Sequence, residues 1–122
     1  TFEWFYQNGQ LEEKINYKDG KLDGLYELFS AKGQLKEKGN YKKGRPHGLY
    51  EWFHLINGQL LKRGNYKNGR QDGLWEIYYV NGQLSSKGHF KNGKFHGLVE
   101  YYSDKGLLKE KGNYKNGEKI EE

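Results

Sequence analysis

Apolar and polar residues alternate along most of this chain with a period of two, the pattern of a half-buried β-strand. The opening run TFEWFYQ sets Phe2, Trp4 and Tyr6 on one side and Glu3 and Phe5 on the other. The run QLEEKINYK follows, with Asn8-Gly9 between the two. Asn-Gly in a two-residue loop is a strong hairpin signal, because both central residues of such a turn take positive φ. That turn sets Gln7 against Gln10 and, counting back, Glu3 against Lys14. No segment carries a 3.6-residue apolar stripe, so no helix is expected.

The hairpin recurs through the chain. Leu25–Gly48 reads LYELFSAKGQLKEKGNYKKGRPHG and Leu74–Gly97 reads LWEIYYVNGQLSSKGHFKNGKFHG. Units at residues 1–24, 25–48, 49–73, 74–97 and 98–122 make one repeat array. Glu3, Glu27, Glu51, Glu76 and Glu100 return in step, as do the closing glycines Gly24, Gly48, Gly73 and Gly97. A second turn precedes each closing segment, at Asp19-Gly20, Lys43-Gly44, Asn68-Gly69, Asn92-Gly93 and Asn116-Gly117. Stacked units contact mainly their neighbours, so function is expected on a repeated surface, not in an enclosed catalytic pocket. The expected fold is all-β: an elongated single-layer antiparallel β-meander of five hairpin repeats. Ten strands at ~4.8 Å spacing give a sheet about 45 Å long, twisted into a gutter.

The register count makes sharper claims. It pairs Glu27 with Lys38, Glu76 with Lys87 and Glu100 with Lys111 as cross-strand ion pairs. It sets Tyr26 over Gly39, Trp75 over Gly88 and Val99 over Gly112; an aromatic ring over a strand glycine covers bare backbone. The third unit, LYEWFHLI before Asn57-Gly58, is one residue longer. Strict counting there sets Glu51 against Gly64, and a β-bulge within 54–56 is expected to restore Arg63. Alternation sorts the faces: Phe2, Trp4, Tyr6, Leu11 and Tyr17 on one, Glu3, Phe5, Gln10, Lys14 and Asn16 on the other.

Composition sharpens this picture. A hydrophobic fraction of 34% and a mean hydropathy of −1.15 lean towards disorder. Eleven Tyr, six Phe and three Trp argue instead for a folded, thin, open structure, and 18 Gly with one Pro fit many tight turns. The absence of Cys removes disulfides, a thiolate nucleophile and Cys-ligated metal. It leaves the compartment open between cytoplasm and export. No apolar run approaches the ~20 residues of a membrane span, and no signal peptide is visible. The chain begins at Thr1 partway through a unit, which suggests an excised or processed piece.

The unit resembles the MORN repeat in its bacterial variant form. The resemblance rests on GNYKKGRPHGLYEW (Gly39–Trp52), GNYKNGRQDGLWEIY (Gly64–Tyr78) and GHFKNGKFHGLVEYY (Gly88–Tyr102). It covers essentially the whole chain. It implies an elongated single-layer meander that serves as a scaffold or partner-binding groove, or that attaches to membranes and acidic lipids. The bacterial variant is similar to antitoxins and immunity proteins against secreted toxins, and to exported or surface proteins. The last unit ends in EKIEE without a closing glycine, which makes Glu118–Glu122 a candidate polar cap.

Candidate chemistry is sparse. His47 and His96 hold one loop position two units apart, roughly 19 Å by strand spacing, too far to share a metal. Asp23 and Asp72 fill that position elsewhere, which suggests turn capping. Ser30, Ser85, Ser86 and Ser103 have no His and acid at triad-like spacing, and no glycine-rich loop opens a helix to cradle a nucleotide. The expectation is a non-enzymatic chain without cofactor or metal.

Two surfaces remain. The first is a basic edge. Lys18, Lys42, Lys67, Lys91 and Lys115 flank the second turns on one side, and Lys21, Arg45, Arg70 and Lys94 on the other, with Glu118 breaking the row. In a chain of net charge +5, such a ridge suits anionic lipid or an acidic partner. It equally suits a solvated edge that blocks association. The second is the aromatic face, where Trp4, Tyr50, Trp52, Trp75 and Tyr79 offer a protein partner a row of anchors, unless the rings simply cover one another. Nucleic acid is disfavoured, because the aromatics alternate into a packed face and leave no exposed stacking platform. The leading reading is a protein–protein interaction or scaffold module, an antitoxin or immunity protein holding a toxin in its groove. The alternative is a membrane-surface or adhesion module working through the basic edge. A consensus-like array without a partner is a third reading, and free edge strands leave the oligomeric state open.

Overall fold

The computed structural model describes residues 1–120. Its strands are β1 (Phe2–Phe5), β2 (Leu11–Ile15), β3 (Tyr17–Lys18), β4 (Lys21–Leu22), β5 (Gly24–Phe29), β6 (Leu35–Lys42) and β7 (Arg45–Pro46). Then follow β8 (Gly48–Phe53), β9 (Leu60–Lys67), β10 (Arg70–Tyr78), β11 (Leu84–Lys91), β12 (Lys94–Tyr102), β13 (Leu108–Lys115) and β14 (Glu118–Ile120). The sheet runs β1-β2-β5-β6-β8-β9-β10-β11-β12-β13-β14, with β7 paired to β6 and β3–β4 as a separate two-stranded ribbon. That ribbon prolongs β2 and β5 past a break at Asn16 and Asp23, bridged by Asp23 N–H to the Asn16 carbonyl at 2.9 Å. β1 and β14 end the sheet without meeting, so it does not close into a barrel. β14 is the described part of the expected C-terminal cap; Glu121 and Glu122 lie outside the described residues.

The two turn types differ, which corrects the first-turn expectation. At the second turns both central residues take positive φ: Asp19 52°, Lys43 52°, Asn68 52°, Asn92 51° and Asn116 51°, each followed by Gly. That is the type I′ hairpin expected of Asn-Gly. At the first turns only the glycine is left-handed, as at Gly9 (88°) and Gly33 (84°). Gly9 N–H bonds the Tyr6 carbonyl at 3.0 Å and Tyr6 N–H bonds Gln10 at 2.9 Å, a three-residue loop. The strand-body register nevertheless matches the count, because one extra residue on the return strand offsets the longer loop. Trp4 pairs Glu13 while Phe5 pairs Leu11, leaving Glu12 as the bulge; Lys36, Leu61, Ser85 and Lys109 stand in the same place.

The third unit does restore Glu51 opposite Arg63, by a different route from the one expected. Its extra residue lengthens the loop itself. His54 N–H bonds Gln59, and Gly58 N–H reaches back four residues to His54, both at 2.8 Å. Leu55 and Ile56 ride on that loop at 55% and 82% exposure.

Each closing glycine makes a two-residue jump in register. Asp72 pairs Asn65, but Trp75 already pairs Gly64. Gly73, at φ 77°, sits in the jump, where a side chain would be strained. The glycines Gly39 and Gly64 answer to space instead. Tyr26 does pair Gly39 and Trp75 does pair Gly88, as counted. The ring lying on each glycine, however, comes from the following unit: a Cβ at Gly39 would collide with the Tyr50 ring, and one at Gly64 with the Trp75 indole. The glycines thereby key each unit to the next.

The core is thin. Ile15, Tyr50, Trp75 and Val99 are buried, all on one face. Around them an aromatic ladder runs Tyr26–Tyr41–Tyr50–Tyr66–Trp75–Phe90–Phe95–Tyr114, with ring centroids 4.7–6.2 Å apart. Such pairs add to plain area burial. Both long edges are tied between units as well. Gly44, Gly69 and Gly93 N–H groups bond Leu22, Pro46 and Gln71 carbonyls at 2.8–3.0 Å. At the other edge, Asn8, Asn57 and Asn81 donate to Ala31, Val80 and Asp104 carbonyls at 2.8 Å.

Candidate interaction surfaces

Register fixes one row of side chains on each face. The back row crosses the sheet as Glu3, Lys14, Glu27, Lys38, Glu51, Arg63, Glu76, Lys87, Glu100 and Lys111. Every acid thus has a cation on both sides, except Glu3 at the end. The pairing is as expected within each hairpin, but the close contacts fall between hairpins: Arg63 to Glu76 at 2.9 Å and Lys87 to Glu100 at 3.6 Å. The Glu76 carboxylate raises the Arg63 guanidinium pKa chiefly through that hydrogen bond.

The front row, on the aromatic face, runs Trp4, Glu13, Leu28, Glu37, Trp52, Lys62, Ile77, Ser86, Tyr101 and Glu110. First strands supply apolar residues and return strands polar ones. Lys62 Nζ lies over both the Trp52 and Trp75 rings, 5.2 and 5.3 Å from their centroids, a cation–π arrangement. Glu37 accepts a hydrogen bond from the Tyr50 hydroxyl. Burial, reinforced by that bond, pushes the Tyr50 phenol far up from its usual value. Burial, with Glu13 and Glu37 adding repulsion, does the same to Tyr26.

The five aromatic candidates divide on this framework. Tyr50 (2%) and Trp75 (3%) are core residues covering glycines, with Trp75 Nε1 donating to the Asn65 carbonyl at 3.0 Å. Tyr79 is half-buried, and its hydroxyl donates to the Tyr102 carbonyl at 2.7 Å, tying unit to unit. Trp52 is half-buried in the front row, and Trp4 is 46% exposed at its start. Much of the ring content therefore covers itself, and the accessible front row is Trp4, Trp52, Ile77 and Tyr101 with the polar residues between. Glu13, Glu37 and Lys62 were not singled out from sequence, although the register count that pairs Glu3 with Lys14 also pairs Trp4 with Glu13.

The basic edge forms as drawn. Lys18 pairs Lys21, Lys42 pairs Arg45, Lys67 pairs Arg70 and Lys91 pairs Lys94 across the second turns. All eight are exposed, and among the described residues none joins an ion pair. Arg45 lays its stem on Gly69 of the next turn, within 3.4 Å of where a Cβ would sit. The expected capping by the loop position before the closing glycine is present in the first two units, where Asp23 accepts from Lys43 N–H at 3.3 Å and His47 Nδ1 from Asn68 N–H at 3.5 Å; in the fourth, the buried His96 Nδ1 has no hydrogen-bond partner among the described residues. Among the described residues no helix is long and apolar enough to cross a membrane.

Sheet order, turn periodicity and keyed glycines define an open β-meander repeat array. A family model described as the MORN repeat variant matches residues 1–19, 22–43, 71–92 and 95–116, most of the chain, and the chain belongs to that family. The unmatched stretch between these segments holds the hairpin with the lengthened loop. MORN repeats commonly serve as protein- or membrane-interaction modules. No curated protein matches the sequence. Among solved structures, the chain is similar to S. aureus TarM, in a mutant bound to fondaparinux, alpha-GlcNAc-glycerol and UDP, at 8% identity and TM-score 0.49. A second TarM crystal structure gives 9% identity and TM-score 0.48. Each match covers 89% of this chain and 21% of the other, so the chain spans about a fifth of that protein's length.

Proposed function

We propose that this array is a non-enzymatic interaction module that binds a protein partner across its aromatic face. The observation that carries this reading is the front row: ten aligned positions on a face that no second layer covers among the described residues, with Trp4 46%, Ile77 38% and Tyr101 38% exposed. A sheet face held rigid by its own ring ladder presents such residues without further ordering cost, which favours binding. A toxin held by an antitoxin or immunity-type array is one form of this reading, suggested by the family resemblance alone. The test is site-specific photo-crosslinking in cells that make the protein, with a benzophenone side chain at Ile77 or Tyr101 and, in parallel, at Lys67 or Lys91. A discrete protein adduct from the face positions is expected. Adducts only from the edge positions would overturn the reading.

One observation favours a second reading, binding of anionic lipid or an acidic surface at the basic edge. Like charges directly opposite one another destabilise a β-pair, and the chain carries four such pairs in succession. Co-sedimentation with anionic vesicles, lost on adding salt and on reversing Arg45 and Arg70 to Glu, is its signature.

A further inference from the structure

The front row is not uniform along the array, and its departures have a chemistry. Return strands place Glu13, Glu37, Lys62, Ser86 and Glu110 at equivalent positions, the last with Lys119 at 3.9 Å. In the third unit this position supplies an ammonium that lies over two indole rings. In the first two units the same position supplies carboxylates. Glu13 and Glu37 are half-buried, and among the described residues neither has a cation within ion-pair distance. The partners they have are phenols, Tyr50 donating to Glu37 and Tyr26 beside Glu13. Leu28 stands between them in the row, and Trp4 and Trp52 flank the pair. This end of the face is an aromatic and acidic surface without a cation, next to a unit that shows where one would sit.

A second departure lies further along. Tyr50 and Trp75 fill the position that covers a glycine of the preceding unit, but over Gly88 the equivalent residue is Val99. Val99 shares the cover of Gly88 with Phe95, and the two leave a hollow of about 80 Å³ walled by Lys62, Trp75, Ile77, Phe95, Val99 and Tyr101. Small-molecule pockets run to roughly 300–1,000 Å³, so this hollow takes the end of one side chain. It is centred on β11, four strand spacings or about 19 Å from Glu37 on β6.

Building on the face-binding reading above, we infer that the face receives a peptide segment of a protein partner, bearing an arginine or lysine that meets Glu13 and Glu37. The same segment carries an aromatic or branched aliphatic side chain that enters the hollow over Gly88. In an extended segment at ~3.3 Å per residue the two anchors are about six residues apart. Charge sets the polarity: Lys62, at the wall of the hollow nearer Glu37, rejects a second cation and favours a neutral or acidic spacer. The carboxylates give selectivity and register, and the hollow gives apolar contact.

The test uses the ¹⁵N-labelled chain and three probes: N-acetyl-arginine methylamide, N-acetyl-phenylalanine methylamide and N-acetyl-glutamate methylamide. The arginine probe is expected to give saturable shifts on β2, β5 and β6, weakened about fivefold or more by E13Q/E37Q, the loss of roughly 1 kcal/mol of charge attraction. Glutamine at 37 can still accept from the Tyr50 hydroxyl, and an unchanged spectrum elsewhere certifies the fold of the variant. The phenylalanine probe is expected to shift the Trp75 indole N–H, and Val99→Tyr to abolish that shift by filling the hollow. If the phenylalanine probe binds but arginine binds no better than glutamate, the inferred charge selectivity is wrong while face binding stands. If no probe perturbs the face and the arginine and glutamate probes act only at the turns, face binding itself is overturned.

Discussion

Gly64 is a glycine because Trp75 lies on it, and that claim can be measured as a coupling energy. Gly64 has no positive φ that would require glycine, so any penalty for a side chain must come from space. A Cβ there would strike the indole, and the indole cannot move away freely. It is 3% exposed, hydrogen-bonded to the Asn65 carbonyl and held edge-to-face between Tyr66 and Phe90. Overpacking of this kind costs about 1–3 kcal/mol, against the roughly 0.5–1 kcal/mol gained by replacing a strand glycine with alanine. Gly64→Ala should therefore destabilise on balance, by up to about 2.5 kcal/mol, or up to roughly 10 °C in Tm for a chain of this size. Trp75→Val makes the site resemble the one over Gly88, where a Cβ would lie 3.2 Å from Val99 Cγ2, a contact a small shift relieves. Trp75→Val alone should cost somewhat less than the ~3–5 kcal/mol of a buried Trp→Ala. Adding Gly64→Ala to it should then be close to neutral. Urea and thermal unfolding of the four proteins, followed by circular dichroism, gives the cycle. Equal costs of Gly64→Ala in both backgrounds would refute the keyed-glycine account.

Other outcomes follow from single contacts. Deleting Ile56 should shorten the third loop to the length of the others and leave Tm within about 2 °C, since register is kept and the residue is 82% exposed; a large loss would mean the longer loop is needed. Tyr79→Phe should cost about 0.5–1.5 kcal/mol by freeing the Tyr102 carbonyl, read by urea midpoint. Tyr26, Tyr50 and Tyr66 phenols are pushed up chiefly by burial, so the folded state holds their protons more tightly than the unfolded chain. Their stabilisation is complete below pH 10 and declines as pH rises above it; absorbance at 295 nm should show these phenols ionising only with unfolding.

Most of the fold was legible because the turn residues fix register and the repeat reports it five times. The Glu–Lys rows, the closing turns and the loss of phase in the third unit could all be counted from Glu3 onward. The first turn was misread because Asn-Gly serves two loop geometries, and Glu12 hides the difference by restoring the count. Which aromatic covers Gly39 was also hidden: Tyr26 and Tyr50 flank that glycine on two sides, and only side-chain direction decides between them. The same ambiguity sent the close ion pairs to Glu76 and Glu100 from the preceding hairpin. Among the proposed anchors, sequence identified the aromatic face but could not separate the core rings Tyr50 and Trp75 from the accessible Trp4 and Trp52. It also left Glu13, Glu37 and Lys62 unremarked, because attention to rings passes over the polar half of an alternating row.

The most direct test is to take the protein captured by crosslinking and measure its affinity for three purified arrays: wild type, Ile77→Ser/Tyr101→Ser, and Arg45→Glu/Arg70→Glu, each at low and high salt. The account predicts that the face variant loses at least about tenfold in affinity at both salt concentrations while the edge variant binds nearly as wild type. A face variant that binds normally, with an edge variant whose binding collapses and a wild type that salt displaces, would contradict it.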